Sequence, residues 1–476
     1  MKRSYFIITL FFLLFGFKFG TIKLGKEVGE RVEEKYIKEM KYWGEEEGEN
    51  DPRLVWLSEK MEGDIYWPSI AISSDTIYIG TSGWDNWPED AEYTNGVYAI
   101  DRLTGKIMWS YKLLDDELIK GAIVVSDDGS IYFIVVEMGG YDSDKGKTYL
   151  YALNSDGSLK WKKEISPTQP HFWGTTSPAL DSEGNIYVNV CVSTTTPPTY
   201  AIISFDSNEN ERWRYEFEGI EGVIWPSPVV YNDTIYCMTC KGLFALTRST
   251  GGFLWNNSSY SGQDTTPPVV GNDGTIYAGA GNFFVAYTST GGVKWVFNAK
   301  AKLISQAVIG GDGTIYLGTT AKNFDSDVSD KKGGFLWAID PSTGGAKWFF
   351  DIDPWMYDEY EKTWKISDIY APPVIGKDGT IYFTTEYRYI FAVNPDGTLK
   401  DIYDLNNFAA GWNGGTVTYS ALVIDEDGIL YKADSNYDST FGKDVGVIIA
   451  IQTKSMGLAN SSWPKGYKDY SNSNRY

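Results

Sequence analysis

One histidine, His171, and three cysteines, Cys191, Cys237 and Cys240, are all the sequence offers for imidazole or thiol chemistry. A single imidazole makes two-histidine zinc sites arithmetically impossible, and any histidine-based triad would have to use that one residue. Cys191 and Cys240 each follow a repeated Tyr by four residues, so a Cys3His zinc set is conceivable by residue type. Equivalent hairpin ends on neighbouring sheets are too far apart for it, and no metal is expected. Cys237 and Cys240 could pair in a disulfide, but free thiols are the expected state; Lys241 rather than His follows Cys240, so this is no haem-attachment motif. Asp325, Asp327 and Asp330 supply hard oxygens suited to Ca²⁺, without the Gly and terminal Glu of an EF-hand loop. No cofactor and no catalytic residue are expected.

What the sequence does supply is acid and aromatic surface. The formal charge is −21, against the basic balance that phosphate-backbone binding requires, so no nucleic-acid partner is expected. Eighteen Trp, 34 Tyr and 23 Phe among 476 residues exclude a mostly disordered chain. Lys2 and Arg3 followed by an apolar run from Tyr5 to Phe17 match a secretory signal, giving residues 1–22 as a signal peptide or an N-terminal anchor. The expected location is outside the cytoplasm, periplasmic, surface-bound or secreted, with membrane contact through that segment alone. Residues 23–52 read as a charged linker, with a short helix suggested by Val28, Val32, Tyr36 and Met40 at spacings of four.

From residue 53 to 476 one unit recurs eight times. Its clearest phrase is Asp-Gly-Thr-Ile-Tyr, ending at Tyr277, Tyr316 and Tyr382, with weaker copies ending at Tyr78, Tyr132, Tyr187, Tyr236 and Tyr431. Each copy reads as four short strands: a small apolar strand, an Asp-Gly turn expected to be a two-residue hairpin, the Ile-Tyr strand, a third strand expected to end in an Ala, and a Thr-Gly turn into a Trp-bearing strand. Four-stranded antiparallel sheets repeated this way bury both faces only by radial stacking. The expected fold is therefore all-β, an eight-bladed propeller of four-stranded antiparallel blades. The eighth copy lacks a Trp strand, and an unmatched one, Leu54-Val55-Trp56-Leu57, precedes the first copy, so an N-terminal strand is expected to close the last blade. Trp56, Trp109, Trp161, Trp213, Trp255, Trp295 and Trp348 are expected to pack between blades; in the seventh copy Asp401 holds that place, marking the weakest interface.

The phrase Ala-x-Asp-x-x-Thr-Gly-x-x-x-Trp, at 99–109 and 338–348, resembles the pyrroloquinoline-quinone-like repeat propellers. The tail Gly457-Leu-Ala-Asn-Ser-Ser-Trp-Pro464 is similar to an ending found in exported members. The resemblance implies either a quinone-dependent dehydrogenase or a non-enzymatic propeller similar to the outer-membrane barrel-assembly lipoprotein. Dehydrogenase members hold their quinone against an adjacent Cys pair, which this chain lacks, so the non-enzymatic branch is expected.

Antiparallel order sends the second-to-third hairpins and the blade links to one face, and the long inserts fall there. They carry Trp84, Asp85, Trp87, Tyr141, Asp325, Asp327, Trp355, Asp358, Tyr360 and Trp364, the expected partner face. Aromatics beside carboxylates suit a polypeptide, the expected partner, or a glycan. The expected function is an exported, non-catalytic scaffold for protein binding or envelope assembly. A carbohydrate-binding surface protein is the first alternative and a quinone-dependent enzyme the second.

Overall fold

The computed structural model describes residues 52–476 apart from 66–68, 82–94, 115, 138–145, 168–176, 194–198, 218–225, 263, 304, 321–333, 353–356, 359–362, 365–366, 386–387, 406–419, 439–442, 467, 470–471 and 474–476. The expected signal and nearly all of the charged linker lie outside the described residues. One compact unit covers Asn50–Tyr476.

It is an eight-bladed β-propeller. Blades 1 to 7 are four-stranded antiparallel sheets spanning 71–112, 117–166, 179–217, 229–257, 269–298, 308–351 and 374–404. Every repeat Tyr lies on its blade's second strand. Blade 8 takes three strands from Val423–Ile424, Ile429–Asp438 and Lys443–Gln452, and its outer strand is Leu54–Leu57. That strand pairs antiparallel with the third, Trp56 opposite Ala450 and Leu57 opposite Ile449, so the ring is closed by a strand from the start of the repeat region. Second and third strands are buried almost throughout, whereas outer strands are mostly exposed or half-buried, with strict alternation in Ile107–Lys112. Between blades the core forms a circle of apolar seams rather than one centre, one running from blade 3 to 4 and another from 7 to 8.

The Asp-Gly turns differ from the two-residue hairpin expected of them. In blade 5 the strands end at Val270 and resume at Ile276, with Gly274 N donating to Gly271 O and Gly271 N to Thr275 O. The extra length has a purpose: Asp273 folds back and accepts from Thr275 N at 3.0 Å and Thr275 Oγ1 at 2.7 Å. Asp312 and Asp378 repeat this pattern. Two-residue turns occur instead at Ser74-Asp75 and Asn232-Asp233, where Ser74 and Asn232 adopt positive φ.

Candidate functional site

Every blade except the seventh is joined to the next by its outer-strand Trp. Trp295 lies tilted against Tyr277 of its own blade, ring centroids 5.6 Å apart, and its Nε1 donates across the seam to Pro341 O at 2.8 Å. The receiving turn holds Gly344 at φ +72, where a Cβ would lie 2.6 Å from the indole, so only glycine leaves room for the ring. Trp109, Trp161, Trp213, Trp255 and Trp348 donate in the same way to Ser155, Ser207, Arg248, Ser289 and Pro395. Trp56 rests on Tyr431 and against Gly105 of blade 1. Blade 3 lacks the turn glycine facing Trp161, and Glu209 takes up the left-handed conformation there at φ +65.

The first-hairpin Asp and the residue before the Trp form a second recurring tie. Lys294, Lys347 and Lys400 each place Nζ between the Asp and the Thr of their own blade's turn, at 3.2 and 2.7 Å, 3.3 and 2.7 Å, and 2.8 and 2.6 Å respectively. Burial pushes the Asp378 carboxyl up, but hydrogen bonds from Lys400, Ser455 and Thr380 outweigh it and hold it at about 2. Two seams use arginine instead. Arg102 of blade 1 reaches Asp425 of blade 8 at 2.6 Å, and Arg248 of blade 4 reaches Asp181 of blade 3 at 2.9 Å. Each carboxylate also accepts from its own blade's Tyr, Tyr431 or Tyr187, at 2.7 Å. These turns therefore form a face fixed by short polar ties.

The opposite face carries the inserts. Among the expected partner residues, Trp84, Asp85, Trp87, Tyr141, Asp325, Asp327, Trp355 and Tyr360 lie outside the described residues. Asp358 and Trp364 belong to a small added hairpin in which Tyr357 pairs with Trp364 and Asp358 with Thr363. Described residues at the base of this face form two polar clusters. In blade 2 the buried Glu117 carboxylate accepts from Tyr151 at 2.8 and 2.9 Å, Lys162 at 2.6 Å and Leu114 N at 3.1 Å. The Lys162 ammonium also lies 4.0 Å from the Tyr149 ring centroid, and Tyr149 donates to Glu137 at 2.6 Å. Burial first, then these carboxylates, push both phenols up. The cluster ties strands Glu117–Val125, Ile131–Glu137, Lys147–Leu153 and Leu159–Ser166 together at this end of blade 2.

The second cluster lies between blades 7 and 8. Arg388 donates to Asp434 at 2.6 Å with both side chains buried, and Lys432 Nζ donates to Ser420 O at 3.1 Å. Burial pushes Lys432 down to about 8, with Arg388 in the same direction and Asp434 opposing. The rim of this seam has Arg53 paired with Asp401 at 3.0 Å and stacked 4.2 Å over Tyr403.

Cys191 and Cys237 are buried and Cys240 half-buried, all as free thiols; burial pushes the Cys237 thiol up. His171 lies outside the described residues. Among the described residues no group of three His, Cys, Asp or Glu side chains is arranged to hold a metal. Sequence reading missed the Lys and Arg ties, although their spacing was visible: each Lys directly precedes the Trp position, and each Arg lies three residues after the third-strand Ala.

The family model described as outer membrane protein assembly factor BamB matches residues 49–193 and 200–440. No curated protein sequence matches. Among solved structures, BamB from Moraxella catarrhalis superposes with a TM-score of 0.54 at 16% identity, covering 83% of this chain and 99% of its own. The C-terminal WD40 domain of Sif2 gives 0.51 at 10% identity, covering 84% and 99%. Identities this low speak for the fold alone, whereas the family model spans most of the sequence. The chain belongs to the family of the outer membrane protein assembly factor BamB, the propellers of pyrroloquinoline-quinone-like repeats.

Proposed function

We propose that this propeller is a non-catalytic scaffold that works outside the cytoplasm and holds a protein partner on its insert-bearing face. The observation that carries the reading is the asymmetry between the two faces. Every turn on the tied face is short, the longest being the six residues 340–345. All the long inserts, 81–95, 138–146, 319–334 and 352–373 among them, emerge on the other. A rigid frame presenting variable loops on one side is the usual arrangement for recognition. The family's description as an assembly factor supports a protein as the ligand. The Lys2-Arg3 and apolar start support export.

Photo-crosslinkers at Trp84 and Trp364 test the reading, with Lys347 on the tied face as the control. Discrete protein adducts from the first two positions and none from Lys347 are expected. Equal labelling from both faces removes the assignment. Glycan binding without protein adducts replaces it with the carbohydrate reading. Charge reversal at Asp85, Asp325 and Asp358 is expected to reduce adduct yield.

A further inference from the structure

After blade 8 the chain turns under the ring and enters the hub from the tied face. Gly457 N donates to Asp425 O at 2.8 Å, Lys377 N to Gly457 O at 2.8 Å, and Ala459 N to Ile375 O at 2.8 Å. The indole of Trp463 is fully buried among the inner strands of blades 5 and 6. The innermost strand of a blade has an edge with no neighbouring strand, and its amides need acceptors. The segment supplies them: Ile309 N donates to Trp463 O at 2.6 Å, Ile375 N to Pro464 O at 2.8 Å, and Leu180 N to Ser473 O at 3.0 Å.

The last part of this segment is organised around one buried amine. Lys465 Nζ donates to Gly466 O at 2.8 Å, Asp469 O at 3.0 Å and Asn472 Oδ1 at 2.7 Å, three acceptors for the three protons of an ammonium. Asn472, fully buried at φ +59, turns its other end outward. Its Nδ2 donates to Ile70 O at 3.2 Å in blade 1 and Ile123 O at 3.0 Å in blade 2. One side chain thus fixes the loop to itself and to the ring.

We propose that the described residues of 453–473 form a latch that docks only on the assembled ring, with Asn472 as its bolt, and so tie blades 1, 2, 3, 6 and 7 across the hub. Its acceptors and donors belong to blades from both ends of the sequence, so no incomplete ring presents them together. Asn472→Asp changes the bolt's donor into an acceptor facing two carbonyls while keeping its size. In the full chain this variant is expected to speed amide hydrogen exchange at Leu180, Ile309 and Ile375 at least tenfold, leaving Tyr236 in blade 4 unchanged. Wild-type rates at all three amides overturn the proposal. A protease site placed between Lys454 and Ser455 gives a second readout that does not depend on the variant folding. After cleavage of the otherwise native chain, the fragment is expected to stay bound in native mass spectrometry. Its departure on cutting shows that it is held by the covalent link alone, and the latch is wrong.

Discussion

The seam between blades 5 and 6 and the seam between blades 7 and 8 join sheets of the same strand order by opposite chemistry. At the first, Trp295 fills the gap, donates to Pro341 O and rests against Gly344. At the second, the equivalent residue is Asp401, paired on the rim with Arg53, while Lys432, Asp434 and Arg388 occupy the interior. The residue one place after the repeat Tyr is apolar in the other seven blades: Ile79, Phe133, Val188, Cys237, Ala278, Leu317 and Phe383. In blade 8 it is Lys432. The reason lies in what a Trp needs. Its indole docks on the third-to-fourth hairpin turn of the next blade, and blade 8 has none, because its third strand ends at Gln452 and its fourth begins at Leu54. A Trp at 401 would have nothing to dock on. Arg53, at the start of the inserted strand, is the group that is there.

Removing residues 53–60 tests the comparison most severely, since it takes away both Arg53 and the Trp56 contact with blade 1. Loss of the single cooperative unfolding transition is expected in urea titration; a parent-like melt breaks the account of closure. Trp295→Ala is expected to cost about 3–5 kcal/mol, the range for deleting a buried large ring. Gly344→Ala, on the other side of the same seam, should cost about 1–3 kcal/mol through overpacking. Arg388→Met leaves the buried Asp434 without that ion pair, for which about 3 kcal/mol is expected. Adding Asp434→Leu should recover much of it, whereas no second change of that kind rescues Trp295→Ala.

The two seams should also differ in pH response. Lys432 titrates near 8 in the folded chain and near its ordinary 10.5 when unfolded. The unfolded state therefore binds more protons between those values, and stability rises with pH across that window. Lys465, pushed down by burial to about 7, contributes in the same direction, so the difference between wild type and Lys432→Met isolates the seam. A flat difference curve between pH 8 and 10.5 contradicts the assignment. The smallest effect is expected at the rim: Arg53→Ala should cost about 0.2–1 kcal/mol, diminishing with salt, because the pair is partly exposed. Asp401→Trp sharpens the comparison further, with no gain in stability expected.

Blade count, strand order and closure were legible because they rest on a repeat whose residues report local geometry. Tyr marks the second strand, and the Asp of Asp101 and Asp340 marks a turn it caps by accepting from Thr104 and Thr343. The length of the Asp-Gly turn was not legible, since the dipeptide specifies positive φ and not the five-residue loop that the Asp side chain closes. Lys432 was visible as a charge in an apolar strand, but its partner Arg388 comes from another blade, and no local pattern joins them. The latch gave less warning still. Nothing near Asn472 in sequence indicates that its amide meets carbonyls of Ile70 and Ile123, 402 and 349 residues earlier. The partner face was read from insert length and composition alone.

The strand that completes blade 8 decides more than where the circle shuts. Whichever blade is assembled from two distant stretches of chain forfeits a hairpin, and its predecessor must then do without an indole contact. If the opening were moved by circular permutation, into blade 4 for instance, the polar joint would have to move with it. Blade 8 would then gain a continuous loop on which an aromatic ring could rest, and Trp213 would become the misplaced residue.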